Sequence, residues 1–140
     1  MTSSLSKQFF KSPYYAVVGA STARTKFGNR VLRWYQSNGL DVTPIHPKEA
    51  KIEELATKPS IDQLPHPVKT SISIITPPAV TLGVLEQAKK LGMKEVWIQP
   101  GAEDQKVIDF AKENEADMNI ILGGPCILVK GSALLQESRL

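Results

Sequence analysis

Tyr14-Tyr15-Ala16-Val17-Val18 is a continuous apolar run that stops at Gly19-Ala20-Ser21. It reads as a buried strand, and a helical pattern resumes a few residues later. The Gly-Ala-Ser turn therefore falls between a strand and a helix N-terminus. In a parallel α/β sheet that position lies at the carboxyl edge, where backbone N–H groups hold nucleotide phosphates. The plainer alternative is a turn that needs small residues for packing alone.

A dinucleotide fingerprint needs Gly-x-Gly-x-x-Gly at this turn. Here the three positions are Gly19, Ser21 and Arg24, so the first alone matches. The fingerprint also places an acid near the end of the second strand, for a ribose 2′-hydroxyl. This chain has Ile45-His46-Pro47-Lys48 there. A carboxylate would repel a phosphate, whereas Lys48 attracts one. Arg24 and Lys26 add positive charge to the first loop. A ligand with an extra ribose phosphate is thus favoured over NAD, and NADP stays open.

Other chemistries find little support. Cys126 follows a strand, but nothing in its local sequence supplies a base or positive field to make a thiolate. It reads as a small buried residue, with a mixed disulfide to a ligand thiol as the sharper alternative. His46 and His66 are isolated, and with one cysteine they make no metal site. No Ser-His-acid order or carboxylate pair stands out, so no catalytic residue is assigned.

The elements that must position this turn alternate along the chain. Strands are expected at Tyr14–Gly19, Asp41–Ile45, Ser71–Ile75, Glu95–Ile98 and Asn119–Leu122. Helices are expected at Gly28–Asn38, from Pro78 to the stop at Gly92, and at Asp104–Glu115. Short helical pieces are expected at Ile52–Ala56 and Ser60–Leu64. An extended piece near Ile127–Val129 and a helical turn near Leu134 would follow. Alternation of this kind gives an α/β fold: one Rossmann-like, doubly wound, mainly parallel five-stranded sheet, most simply ordered 3-2-1-4-5, with helices on both faces. Trp34 and Tyr35 on the first helix read as core or a subunit contact. The core spans about residues 12–130, with a flexible segment 1–11 and a tail 131–140.

The chain has 140 residues, which suits one domain. With 41% hydrophobic and 22% charged residues, it has an ordinary soluble composition. No apolar run is long enough to span a bilayer, and one cysteine fits a reducing compartment. Residues 1–70 hold ten Lys/Arg against five Asp/Glu, while residues 71–140 hold seven against nine. The basic half carries the opening turn, which suits an anionic ligand. There is no Lys/Arg-rich run with interleaved aromatics, which argues against nucleic acid. A cytoplasmic location is expected. Ser138-Arg139-Leu140 resembles a peroxisomal address of the Ser-Lys-Leu type, should the source be eukaryotic.

The series Ala16–Ser21, Asn38–Lys48 and Lys94–Ala102 resembles the stand-alone CoA-binding domain family. That family is similar to the N-terminal domain of the succinyl-CoA synthetase alpha subunit. The resemblance covers nearly all of residues 12–130. It implies a Rossmann-like fold that binds coenzyme A or acyl-CoA. Gly19, Ala20, Ser21 and Thr22 would cradle phosphate, Pro47 and Lys48 would flank the adenosine end, and Thr76, Pro77 and Pro78 would line the wall. Gly124-Pro125-Cys126 falls at another proline-containing ligand loop of the synthetase domain. The synthetase's second domain and phosphohistidine segment are missing, which argues against the ligase reaction. Binding of a small nucleotide ligand is therefore expected, with a homo-oligomer or a separate enzyme partner left open. An NADP-binding oxidoreductase fragment and an interaction module with a vestigial pocket stand as alternatives.

Overall fold

The computed structural model describes residues 2–140. Five parallel strands form the sheet: β1 (Tyr14–Val18), β2 (Val42–Ile45), β5 (Thr70–Ile74), β6 (Glu95–Ile98) and β7 (Asn119–Ile121). Two short strands, β3 (Lys51–Ile52) and β4 (Leu55–Ala56), make a separate antiparallel hairpin. The helices are α1 (Thr2–Phe9), α2 (Phe27–Ser37), α3 (Pro78–Lys90), α4 (Gln105–Glu113) and α5 (Ile127–Ser138). The doubly wound, Rossmann-like α/β architecture is as expected.

The strand order is not. It runs β2-β1-β5-β6-β7, so the third sheet strand sits beside the first and not outside the second. Counting sheet strands alone, this is 2-1-3-4-5, not 3-2-1-4-5. Pro44 supplies a physical reason. Proline cannot donate to a ladder and belongs on edge strands. In the observed order β2 is the edge, with Pro44 in register with Val17. On its outer side Lys58 N–H donates to the Pro44 carbonyl and His46 N–H donates to the Lys58 carbonyl. Residues 44 and 46 therefore face away from β1, and the missing N–H removes no bond to it.

Alternate residues of the strands feed two apolar layers. Ala16, Val18, Ile72, Ile74, Val96 and Ile98 pack with Leu85 of α3 and Val107 of α4. Tyr15, Val17 and Trp97 pack on the other face with Val31 and Tyr35 of α2 and Leu135 of α5. Trp34 and Tyr35 are buried here, as core.

Both chain ends differ from expectation. The segment expected to be flexible forms α1, and its Phe9 is fully buried. Phe9 meets Trp97 edge-on with ring centroids 5.5 Å apart, and Phe10 lies 6.0 Å from Trp34. Burying one such ring stabilises the fold by roughly 1.5–3 kcal/mol. Likewise, residues 127–138 form one helix, with no extended piece at Ile127–Val129. The stretch Ile52–Ala56 turns back as the β3–β4 hairpin instead of forming a helix, with Ile52 buried. Among the described residues, no helix is long and apolar enough to cross a membrane.

Candidate functional site

The chain leaves β1 for α2 on one face of the sheet and leaves β5 for α3 on the other. Neighbouring strands whose connections diverge open a crevice at their carboxyl ends. Two glycines make the loop after β1 fit there. Gly19 has φ +97°, and a Cβ on it would stand 3.2 Å from the Ile75 carbonyl carbon. Gly28, in the first turn of α2, leaves no room at all: a Cβ would stand 2.1 Å from the Gly19 carbonyl oxygen. Gly28 thus does the close helix–strand packing that the fingerprint assigns to its third glycine, four positions beyond Arg24.

The crevice is a cavity of about 380 Å³. Gly19, Ala20, Pro47 and Thr76 line it, as do His46 and Gln87. Ile45, Ile61, Val80 and Val84 make the rest of the wall largely apolar. Of the eleven residues expected to bind the ligand, the crevice gathers four. Ser21, Thr22, Arg24, Lys26, Lys48, Pro77 and Pro78 lie outside its wall, on the flanking loops or at the helix starts.

Each flanking residue has a local role. Ser21 Oγ accepts the Ala23 N–H at 3.1 Å, closing a short turn. Lys26 is the N-cap of α2 and offers the first turn no side-chain acceptor. Pro77 and Pro78 are the N-cap and first residue of α3. The Thr76 and Thr81 hydroxyls bond at 2.8 Å, fixing that corner. His46 Nδ1 accepts the N–H groups of Lys48 and Glu49, each at 3.0 Å. This bends the chain at Pro47 and leaves Lys48 exposed.

Sequence reading missed Asn29 and Glu53. Asn29 is fully buried, and its Nδ2 donates to the Ser21 carbonyl at 2.8 Å and to Glu53 Oε2 at 3.0 Å. Arg24 Nε stands 3.4 Å from the same Glu53 oxygen. An acid does therefore reach the first turn, carried by the hairpin instead of the end of β2. Asn29 lies opposite the Phe27, Val31, Trp34 and Tyr35 stripe of α2, so its burial carried no signal in the sequence. Glu53, far along the chain in a polar stretch, offered none either.

At the next strand end Gln99 Oε1 accepts the Ile127 N–H at 2.9 Å, and Trp97 Nε1 donates to the Pro125 carbonyl at 2.9 Å. These bonds hold the loop that ends at Cys126, a partly buried free thiol and the N-cap of α5. A larger cavity of about 770 Å³ runs along the free edge of β7 and shares no lining residue with the crevice. Its wall mixes Lys94 and Lys112 with Glu95 and Glu115. There, burial pushes the Glu95 carboxyl up, against the opposing pull of the Asn119 hydrogen bond and of Lys94.

A family model described as a CoA binding domain matches residues 14–132. The chain belongs to this CoA-binding domain family. A conserved hypothetical protein from Pyrococcus furiosus is 36% identical, over 84% of this chain and 97% of that one, with a TM-score of 0.75. A hypothetical protein from Pyrococcus horikoshii is 26% identical, over 96% and 93% of the two chains, with a TM-score of 0.82. A Thermus thermophilus protein at 21% identity shares the fold, with a TM-score of 0.80 over 96% of this chain and 99% of its own. No curated protein matches the chain.

Proposed function

We propose that the protein binds coenzyme A, free or acylated, in the crevice between the carboxyl ends of β1 and β5. The observation that carries this is the close stacking of Gly28 on the Gly19 carbonyl within a chain of the CoA-binding domain family. That packing seats the loop after β1 against the start of α2, and its Gly19 and Ala20 line the crevice, where loop N–H groups favour an anion. The diphosphate takes Gly19, Ala20, Ser21 and Thr22, with Arg24 and Lys26 supplying charge. Pro47 and Lys48 flank the adenosine end, and Lys48 meets its ribose phosphate. Thr76, Pro77 and Pro78 bound the opposite side, and the largely apolar wall suits the non-phosphate part of the ligand.

The protein's action in this reading is binding, with no catalytic residue assigned. NADP is the comparison ligand, because it too carries a diphosphate and a ribose phosphate. Melting curves with CoA, acetyl-CoA, NAD and NADP separate the readings. A ligand at about 100 times its dissociation constant adds about 2.7 kcal/mol of stability. The proposal expects a rise in Tm with CoA or acetyl-CoA that exceeds any with NADP. A shift with NADP and none with CoA would reverse the assignment. No shift with any of the four at millimolar concentration would point to a vestigial pocket.

A further inference from the structure

Glu53 and Glu54 occupy the two central positions of the β3–β4 turn, with φ values of +50° and +68°. Left-handed backbone at both positions is the geometry that Asn-Gly normally fills. Two glutamates there are strained, and the surrounding bonds hold them in place. Gln36 Nε2 donates to the Glu53 carbonyl at 3.0 Å. Asn29 Nδ2 donates to the Glu53 carboxylate at 3.0 Å, and Arg24 Nε stands 3.4 Å from it. Arg33 completes the set, donating to Asn29 Oδ1 and to the Arg24 carbonyl, each at 2.7 Å.

The carboxylate is therefore held at Arg24, one of the two cations that the proposed function gives to the anion, and at Asn29 beside it. Asn29 is its neutral donor and Arg24 its cation. Asn29 also holds the Ser21 carbonyl, so the hairpin and the ligand loop share one donor. Glu54, next along the same turn, is exposed.

We infer that Glu53 is a specificity-determining residue of this site: its carboxylate is an internal counter-anion to Arg24, and an anionic ligand binds by outcompeting it. A diphosphate brings enough charge to displace one carboxylate from a largely exposed arginine. A singly charged anion or an uncharged nucleoside does not. The inference takes the position of the anion from the proposed function and is independent of the ligand's being CoA.

The test uses inorganic pyrophosphate, inorganic phosphate and CoA, titrated calorimetrically into the wild type, E53Q and E54Q at fixed ionic strength. Gln at position 53 keeps an acceptor for Asn29 and removes the charge facing Arg24. E54Q removes the same charge from the same turn without that contact. The expected result is pyrophosphate and CoA binding about two- to fivefold tighter in E53Q, the range an exposed ion pair commands, with a smaller change in E54Q. Pyrophosphate should bind the wild type more tightly than phosphate does. Equal or weaker pyrophosphate binding by E53Q, an equal gain in E54Q, or no pyrophosphate binding by either variant or the wild type would overturn the inference. Pyrophosphate binding without CoA binding would overturn the CoA reading alone. Should E53Q lose its melting transition, R24Q takes its place. It must weaken pyrophosphate binding, and unchanged binding overturns the inference.

Discussion

The α-carbon of Gly28 faces the carbonyl oxygen of Gly19 so closely that a Cβ would stand 2.1 Å from it. The obstacle is backbone, so no side-chain rotation relieves it. Gly28→Ala must push α2 away from the turn after β1. The expected cost is about 1–3 kcal/mol of stability, as for other overpacking, together with weakened CoA binding. Urea unfolding and a CoA titration of the same variant check both. Wild-type stability would show that the helix gives way easily.

Gly131 provides the matching control far along the chain. A Cβ on it would come 2.7 Å from Trp34 Cζ2 and 2.8 Å from Ile127 Cγ1. Gly131→Ala should lower stability by about 1–3 kcal/mol while leaving CoA affinity within error, because Trp34 and α5 line no part of the crevice. Loss of affinity in a folded G131A protein would tie α5 to the site.

Tyr15 and Tyr35 should respond in opposite ways to loss of their hydroxyls. The Tyr35 hydroxyl bonds Ser73 Oγ at 2.6 Å, whereas the buried Tyr15 hydroxyl has no partner among the described residues. Tyr35→Phe leaves Ser73 without that bond and should cost about 1 kcal/mol. Tyr15→Phe should be neutral or stabilising at pH 7. Burial pushes the Tyr15 phenol up to about 12, partly offset by Arg139. An acid raised on folding loses stability as pH climbs from its unfolded value, near 10 for Tyr, through its folded one. The wild type should therefore weaken between about pH 10 and 12 more than Tyr15→Phe does. Denaturant melts across that window decide it, and parallel curves would contradict the account.

Glu95 gives a pH dependence at the acid end. Its carboxyl is raised, chiefly by burial, so the folded state holds the proton more tightly than the unfolded chain. Below the unfolded value both states are protonated and nothing is lost. As pH rises through the folded value, stability falls, and above it the loss is complete. Glu95→Gln keeps an acceptor for Asn119 Nδ2, which lies 2.5 Å from Glu95 Oε1. The variant should be more stable than the wild type at pH 7, with the difference vanishing on acidification. Unfolding curves from pH 4 to 8 test this, and a constant difference would count against it.

The sheet strands were legible because each is a short stretch carrying Val or Ile and bounded by Gly, Pro or polar residues. Pro78 and Asp104 marked helix starts for local reasons that the structure repeats: Pro78 opens α3, and Asp104 Oδ1 accepts the Val107 N–H at 3.0 Å. The strand order was missed although Pro44 carried the clue, since a proline inside a strand argues for an edge. The helix α1 was not legible from its own polar residues. Its place depends on Phe9 and Phe10 meeting Trp97 and Trp34, contacts that local pattern does not encode. At the site, the small residues Gly19 and Ala20, read from the turn, and Pro47 and Thr76, implied by the family resemblance, fall on the crevice wall. The Glu53–Arg24 pair joins segments 29 residues apart through a hairpin held by tertiary bonds, and no periodicity announces it.

The most direct test of the central claim is an amide NMR titration of the isotope-labelled protein with CoA. The account predicts saturable shifts at Gly19, Ala20 and Ser21, at His46 and Lys48, and at Thr76. The groove along β7, around Asn119 and Lys112, should stay unmoved. No perturbation at millimolar CoA, or perturbation confined to that groove, would contradict it.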